Sequence, residues 1–76
     1  SGVKIYPNPV EGGSFTVSSS KAIKGVEVYS ATGAIVIAQK CNDNNVTVEA
    51  SALSSGIYLV KVETETGTTT SKLIVK

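Results

Sequence analysis

The sequence predicts an all-β protein, an immunoglobulin-like sandwich of about seven antiparallel strands, and three observations carry that prediction. Short runs rich in β-branched and aromatic residues recur along the chain. Within most of them apolar and polar residues alternate, as in a strand with one buried face. Gly, Asn, Pro and Ser break the runs at close spacing, and no segment sustains the 3.6-residue apolar period of an amphipathic helix.

The first predicted strand covers residues 3–6, with Val3 and Ile5 inward and Lys4 and Tyr6 outward. Pro7-Asn8-Pro9 ends it, because proline fixes φ and removes a donor, and Pro9 pushes Asn8 toward extended geometry. Glu11-Gly12-Gly13 reads as a turn. Residues 14–18 form the second strand, burying Phe15 and Val17, and Ser19-Ser20-Lys21-Ala22 reads as loop. The third strand, 25–31, buries Val26 and Val28, and Ala31-Thr32-Gly33 turns the chain. The fourth, 34–39, is a continuous apolar run, Ala34-Ile35-Val36-Ile37-Ala38. Such continuity implies burial on both faces, or one face meeting a partner. Lys40 through Asn45 reads as a polar loop, since Asn and Asp bond their own main chain there. The fifth strand, 45–49, buries Val46 and Val48. Ala50-Ser51-Ala52-Leu53 reads as one helical turn, with Leu53 under the edge of the sandwich.

A hairpin closes the chain. Gly56 is expected to redirect the backbone into a strand over 57–64 whose inward face carries Tyr58, Val60 and Val62. Glu65-Thr66-Gly67-Thr68 is the expected turn, with Gly67 at positive φ. Residues 69–76 return, with Leu73 and Val75 on one face and Lys72, Ile74 and Lys76 on the other. The strand pattern runs to the last residue, whereas chain ends fray unless a sheet holds them.

Composition narrows function more than it defines it. Seventy-six residues make a single domain, expected to span 1–76, with Ser1-Gly2 the remnant of a linker or of an expressed fragment. There is no His, Trp, Met or Arg, so a His-based metal site or catalytic triad is excluded. Seven Lys against six acids leave a net charge of +1, without the basic face or Arg forks that nucleic-acid binding requires. No apolar run approaches the roughly 20 residues of a membrane-spanning helix, and the chain opens without a signal-peptide pattern. Cys41 is the single cysteine, with no His to activate it and only Lys40 as a basic neighbour. Asn42-Asp43-Asn44-Asn45 lacks the ligand spacing of a calcium loop and reads as a polar turn. A small sandwich is expected to offer little concave volume for a pocket of about 300 Å3. No catalytic residue, metal or other cofactor is therefore expected, and the domain is read as a non-enzyme.

Three stretches together resemble one family. Leu53-Ser54-Ser55-Gly56-Ile57-Tyr58, followed by a hairpin ending Lys72-Leu73-Ile74-Val75-Lys76, is similar to the C-terminal sorting domain of type IX secretion cargo (the Por secretion domain, type A). Ile5-Tyr6-Pro7-Asn8-Pro9 looks like that family's opening motif, and Val26-Glu27-Val28-Tyr29-Ser30-Ala31-Thr32-Gly33 like its central strand and turn. The matches fall in the family's order across almost the whole chain. Ala34 stands where the family often carries a basic residue.

The resemblance implies the same sandwich fold and a role as an address. A larger cargo, N-terminal to this segment, would enter the periplasm, pass through the outer-membrane machinery and reach the cell surface or the medium. A sortase-like peptidase would remove the domain and attach the cargo to the surface. The resemblance makes Lys72, Leu73, Ile74, Val75 and Lys76 the segment read by the machinery. Gly56, Tyr58 and Gly67 would shape the hairpin, and Tyr6, Pro7, Asn8 and Pro9 would open the fold. An exposed last strand could also add to a partner's sheet through its backbone, or pair or exchange between two copies. The alternative is an adhesion or carbohydrate-binding module using exposed Tyr6 or Tyr29 to stack on sugars.

Overall fold

A computed structural model describes residues 2–76; the expectation for Ser1 lies outside the described residues. Alternating burial produces five strands: β1 (Val3–Tyr6), β2 (Ser14–Tyr29), β3 (Ile35–Glu49), β4 (Gly56–Thr64) and β5 (Gly67–Val75). All pair antiparallel. The two long strands each serve two layers. The first part of β2, residues 14–18, lies between β1 and residues 45–49 of β3. Its second part, residues 23–29, lies between residues 35–43 of β3 and β4, and β5 follows β4. The result is a three-stranded layer facing a four-stranded one, the immunoglobulin-like sandwich expected.

The expected seven strands therefore appear as seven paired segments on five continuous strands. Residues 19–22 and 40–45, read from the sequence as loops, are instead the bends through which β2 and β3 cross between layers. The ladder shifts register between Ser18 and Ile23 and again between Ile23 and Gly25, and such bulges bend and twist a strand without ending it. Local polar bonds hold the crossings. Ser19 Oγ accepts from the Lys21 amide at 3.1 Å, Asn44 Nδ2 donates to the Ser19 carbonyl at 3.1 Å, and Asp43 Oδ1 accepts from the Asn44 amide at 2.7 Å. Ile23, fully buried at the bend, anchors the crossing in the core.

One apolar cluster fills the space between the layers. Phe15, Val17, Val46 and Val48 meet Val26, Val28, Val60, Val62 and Leu73, with Val10 and Ala50 closing the ends. Fully burying a side chain of this size contributes about 1.5–3 kcal/mol, which a domain this short needs in the absence of a disulfide. Tyr58 is buried while its hydroxyl donates to the Ser54 carbonyl at 2.7 Å, so its polar end is satisfied. A tyrosine near a strand start bonding the backbone just upstream is the tyrosine corner of such sandwiches.

The turns divide into expected and corrected ones. Gly12, Gly13 and Gly33 adopt φ of +85°, +87° and +90°, as the Glu11-Gly12-Gly13 and Ala31-Thr32-Gly33 turns require. Gly56 does not: it has no positive φ and is the first residue of β4, paired with Val75. The chain is redirected upstream instead, where Leu53 N donates to the Ala50 carbonyl at 3.0 Å in a single turn and Leu53 packs against the core. The last hairpin is tighter than expected, with Glu65-Thr66 as its loop and Gly67 already paired with Thr64. Gly67 has a φ of +152°.

Candidate functional site

The C-terminal strand and the opening motif, 64 or more residues apart, form one site. β5 is the outermost strand of the four-stranded layer and pairs with β4 along its whole length. Leu73 and Val75 are buried, while Lys72, Ile74 and Lys76 are exposed, as the alternation predicts.

The outer backbone edge of β5 is closed over its last residues. The Ile74 amide donates to Asn8 Oδ1 at 3.0 Å, and Asn8 Nδ2 donates to the Lys72 carbonyl at 2.9 Å. One carboxamide thus satisfies a donor and an acceptor of the strand, as a neighbouring strand would. Val10 continues the pairing: its amide donates to the Ile74 carbonyl at 2.7 Å, and the Lys76 amide donates to the Val10 carbonyl at 3.4 Å. Val10 and Val75 form a parallel bridge, and both are buried. Lys76 Nζ lies 3.6 Å from Glu11 Oε2, a pair largely in solvent. Strand addition along 72–76, an expectation from the sequence, is therefore blocked, because those edge groups already have partners. What the segment presents outward is side chains.

Pro7 and Pro9 flank Asn8, and both peptide bonds preceding them are cis. The opening motif does more than end β1: through Asn8 it carries the side chain that clasps the last strand. Sequence reasoning missed this, because an Asn between two prolines reads locally as a turn and its partner lies at the far end of the chain.

Tyr6 and Tyr29 do not form a shared surface. Tyr6 is on the outer side of the three-stranded layer, opposite buried Val17's strand partner Ile5 in the alternation, and Tyr29 is on the outer side of the four-stranded layer. Tyr29 donates its hydroxyl to Glu27 Oε1 at 2.8 Å. That bond, then partial burial and the charge of Glu27, raise the phenol's pKa above its ordinary value. Cys41 is half-buried and free, and burial followed by the charge of Asp43 raises its thiol pKa, so thiolate is scarce.

The outer side of the four-stranded layer does carry concave volume, against expectation. An open groove of about 440 Å3 lies over Gly25 and Ala38, whose missing or minimal side chains leave its floor low, and both lysines (Lys40, Lys61) and carboxylates (Glu27, Glu63) line it.

A family model described as the secretion system C-terminal sorting domain matches residues 4–76. Among solved structures the chain is similar to part of PorZ, an essential bacterial surface component of the type-IX secretion system of Porphyromonas gingivalis. That likeness has a TM-score of 0.77 at 21% identity, covering 99% of this chain and 11% of that one. No curated protein matches the sequence.

Proposed function

The chain belongs to the family of secretion system C-terminal sorting domains, and from that premise we propose that its outward C-terminal side chains are the address read during export. The domain, residues 1–76, directs a larger polypeptide through the outer membrane to the cell surface or the medium. Within this proposal, cargo domains precede the segment and cross the periplasm first. The machinery reads Lys72, Ile74 and Lys76, while Leu73 and Val75 fix the strand by burial. Tyr58 and Gly67 shape the hairpin, Gly56 starts it, and Tyr6 to Pro9 bring Asn8 onto the strand. A sortase-like peptidase then cuts near the N-terminal boundary as the cargo is attached to the surface. In this scheme the domain is a substrate and an address, and it catalyses nothing itself.

The observation that carries the residue assignment is the closure of β5 by Asn8 and Val10. With the backbone edge occupied there, recognition of this segment runs through the exposed side chains. The same closure argues against edge pairing of two copies over 72–76; pairing would need the outer edge nearer Thr68 and Thr70.

The test is a fusion of this chain to the C-terminus of a periplasm-targeted fluorescent protein, expressed in a bacterium with a type IX system. The expected result is fluorescence at the surface or in the medium that disappears in a translocon-deficient strain. Retention of a folded fusion in the periplasm of the competent strain would refute the proposal.

A further inference from the structure

We infer that the outer face of the four-stranded layer is a docking surface for a partner protein presenting an apolar patch edged by carboxylates. This rests on the reading of the chain as an address and extends it from one strand to a whole face. Six large hydrophobic side chains are exposed among the described residues, and five of them, Ile35, Val36, Ile57, Leu59 and Ile74, belong to this layer. The ladder brings them together. Ile57 pairs with Ile74, Leu59 pairs with both Tyr29 and Lys72, and Tyr29 pairs with Ile35. Buried Val28, Tyr58, Val60, Leu73 and Val75 occupy the alternate positions, which turns Tyr29, Ile57, Leu59 and Ile74 outward.

Such a patch on one side of a small domain is the pattern of an interaction site, whereas single scattered apolar residues are ordinary surface. The long apolar run at 34–38 fits the same reading. Ile35 and Val36 are 54% and 42% exposed, so burial on both faces does not account for the run, and a face that meets a partner does.

Charge selects the partner. The carboxylate beside the patch, Glu27, accepts from the Tyr29 hydroxyl and lies 4.0 Å from Lys61 Nζ. Lys72, next to Leu59 across the ladder, has no ion pair among the described residues. Glu63, farther along β4 at the groove, also has no ion pair among the described residues, so the unmatched charge is positive only beside Leu59, at the patch itself, which favours a partner with carboxylates at that rim. A second copy docked about a two-fold axis near Leu59 would bring Lys72 toward its own symmetry mate, a like-charge arrangement that opposes self-association there. The groove over Gly25 continues the face and gives a partner side chain a place to enter.

The test uses the fluorescent fusion with Ile35→Thr, Ile57→Thr and Leu59→Thr, singly and together; none of the three belongs to the 72–76 segment, so the address reading is left untouched. Threonine has the β-branched shape that strands favour while carrying less apolar area, and these side chains are exposed, so the fold is retained. Thermal melting of each purified variant is read beside export, and the single variants serve if the triple one melts early. The expected result is a fall in exported fraction of about tenfold or more for the triple variant, in line with loss of an interface anchor. Thr47→Ala, on the three-stranded layer, is expected to export as the parent does. Lys72→Glu is expected to export less than Lys72→Ala.

Parental export by a folded triple variant would overturn this inference while leaving the address reading intact, since the parent's dependence on the translocon tests that reading separately. Two further results would reassign the face. Light scattering that finds a dimer broken by the triple substitution, with export unchanged, would give it to a second copy. Sedimentation with phosphatidylglycerol vesicles that the same substitution abolishes, with export unchanged, would give it to lipid.

Discussion

Replacing Asn8 with alanine removes the clasp between the start and the end of the chain and leaves every core side chain in place. Two hydrogen bonds are lost, Ile74 N–H to Oδ1 and Nδ2–H to the Lys72 carbonyl. A hydrogen bond contributes about 0.5–1.5 kcal/mol net. Both backbone groups sit at an exposed edge, where water replaces the lost partner, so the pair is worth about 1–2 kcal/mol in all. For a chain of this length, Asn8→Ala is expected to lower the melting temperature by about 5–15 °C. Circular dichroism measures that shift, and amide exchange locates it. Ile74 turns its N–H toward Asn8, so antiparallel alternation turns those of Leu73 and Val75 toward β4. Exchange of the Ile74 amide should accelerate about 5- to 30-fold, ahead of its two neighbours. Asn8→Asp, which keeps an acceptor for Ile74 and loses the donor to Lys72, should fall between. An unchanged melting temperature together with unchanged Ile74 exchange would refute the clasp.

Leu73→Ala, at a fully buried position, is expected to cost about 2–5 kcal/mol, seen as a lower denaturant midpoint. That makes truncation of residues 73–76 a poor test of recognition, because it removes core as well as address. Tyr29 should titrate above the ordinary tyrosine value in absorbance at 295 nm, and Glu27→Ala, which removes both the acceptor and the charge, should bring it back down. Because its folded pKa is raised, this phenol's contribution to stability is complete below the unfolded value of about 10 and is lost as pH rises through the folded pKa. Cys41 should react with iodoacetamide at pH 8 more slowly than a free thiol, and Asp43→Asn should speed it.

Much of the fold is legible from alternation alone. Val3 and Ile5, Phe15 and Val17, Val26 and Val28, Val46 and Val48, and Leu73 and Val75 turn inward where a period of two places them, because each faces one shared core. What escaped was non-local. Residues 19–22 and 40–45 are polar and suit loops, yet ladder pairing immediately before and after them keeps the strands continuous, and tertiary pairing overrides local preference there. Gly56 looked like a turn residue, but its conformation is that of its strand. The resemblance pointed to Lys72, Leu73, Ile74, Val75 and Lys76, and the alternation separated buried Leu73 and Val75 from the outward Lys72, Ile74 and Lys76. Their joining to Asn8 could not be read, since a carboxamide bridging two backbone groups leaves no periodicity in the sequence. The exposed run at Ile35 and Val36 hinted at a partner, but only the register showed that Ile57, Leu59 and Ile74 share its layer.

The most direct test of the account is export of the fluorescent fusion carrying Lys72→Ala and Lys76→Ala. These side chains are exposed, and the Lys76–Glu11 pair they include is a surface contact that contributes little to stability, so the variant should melt as the parent does. The account predicts a folded fusion held in the periplasm. Export of the double variant at the parent's rate would contradict the claim that the outward lysines of the last strand are read as the address.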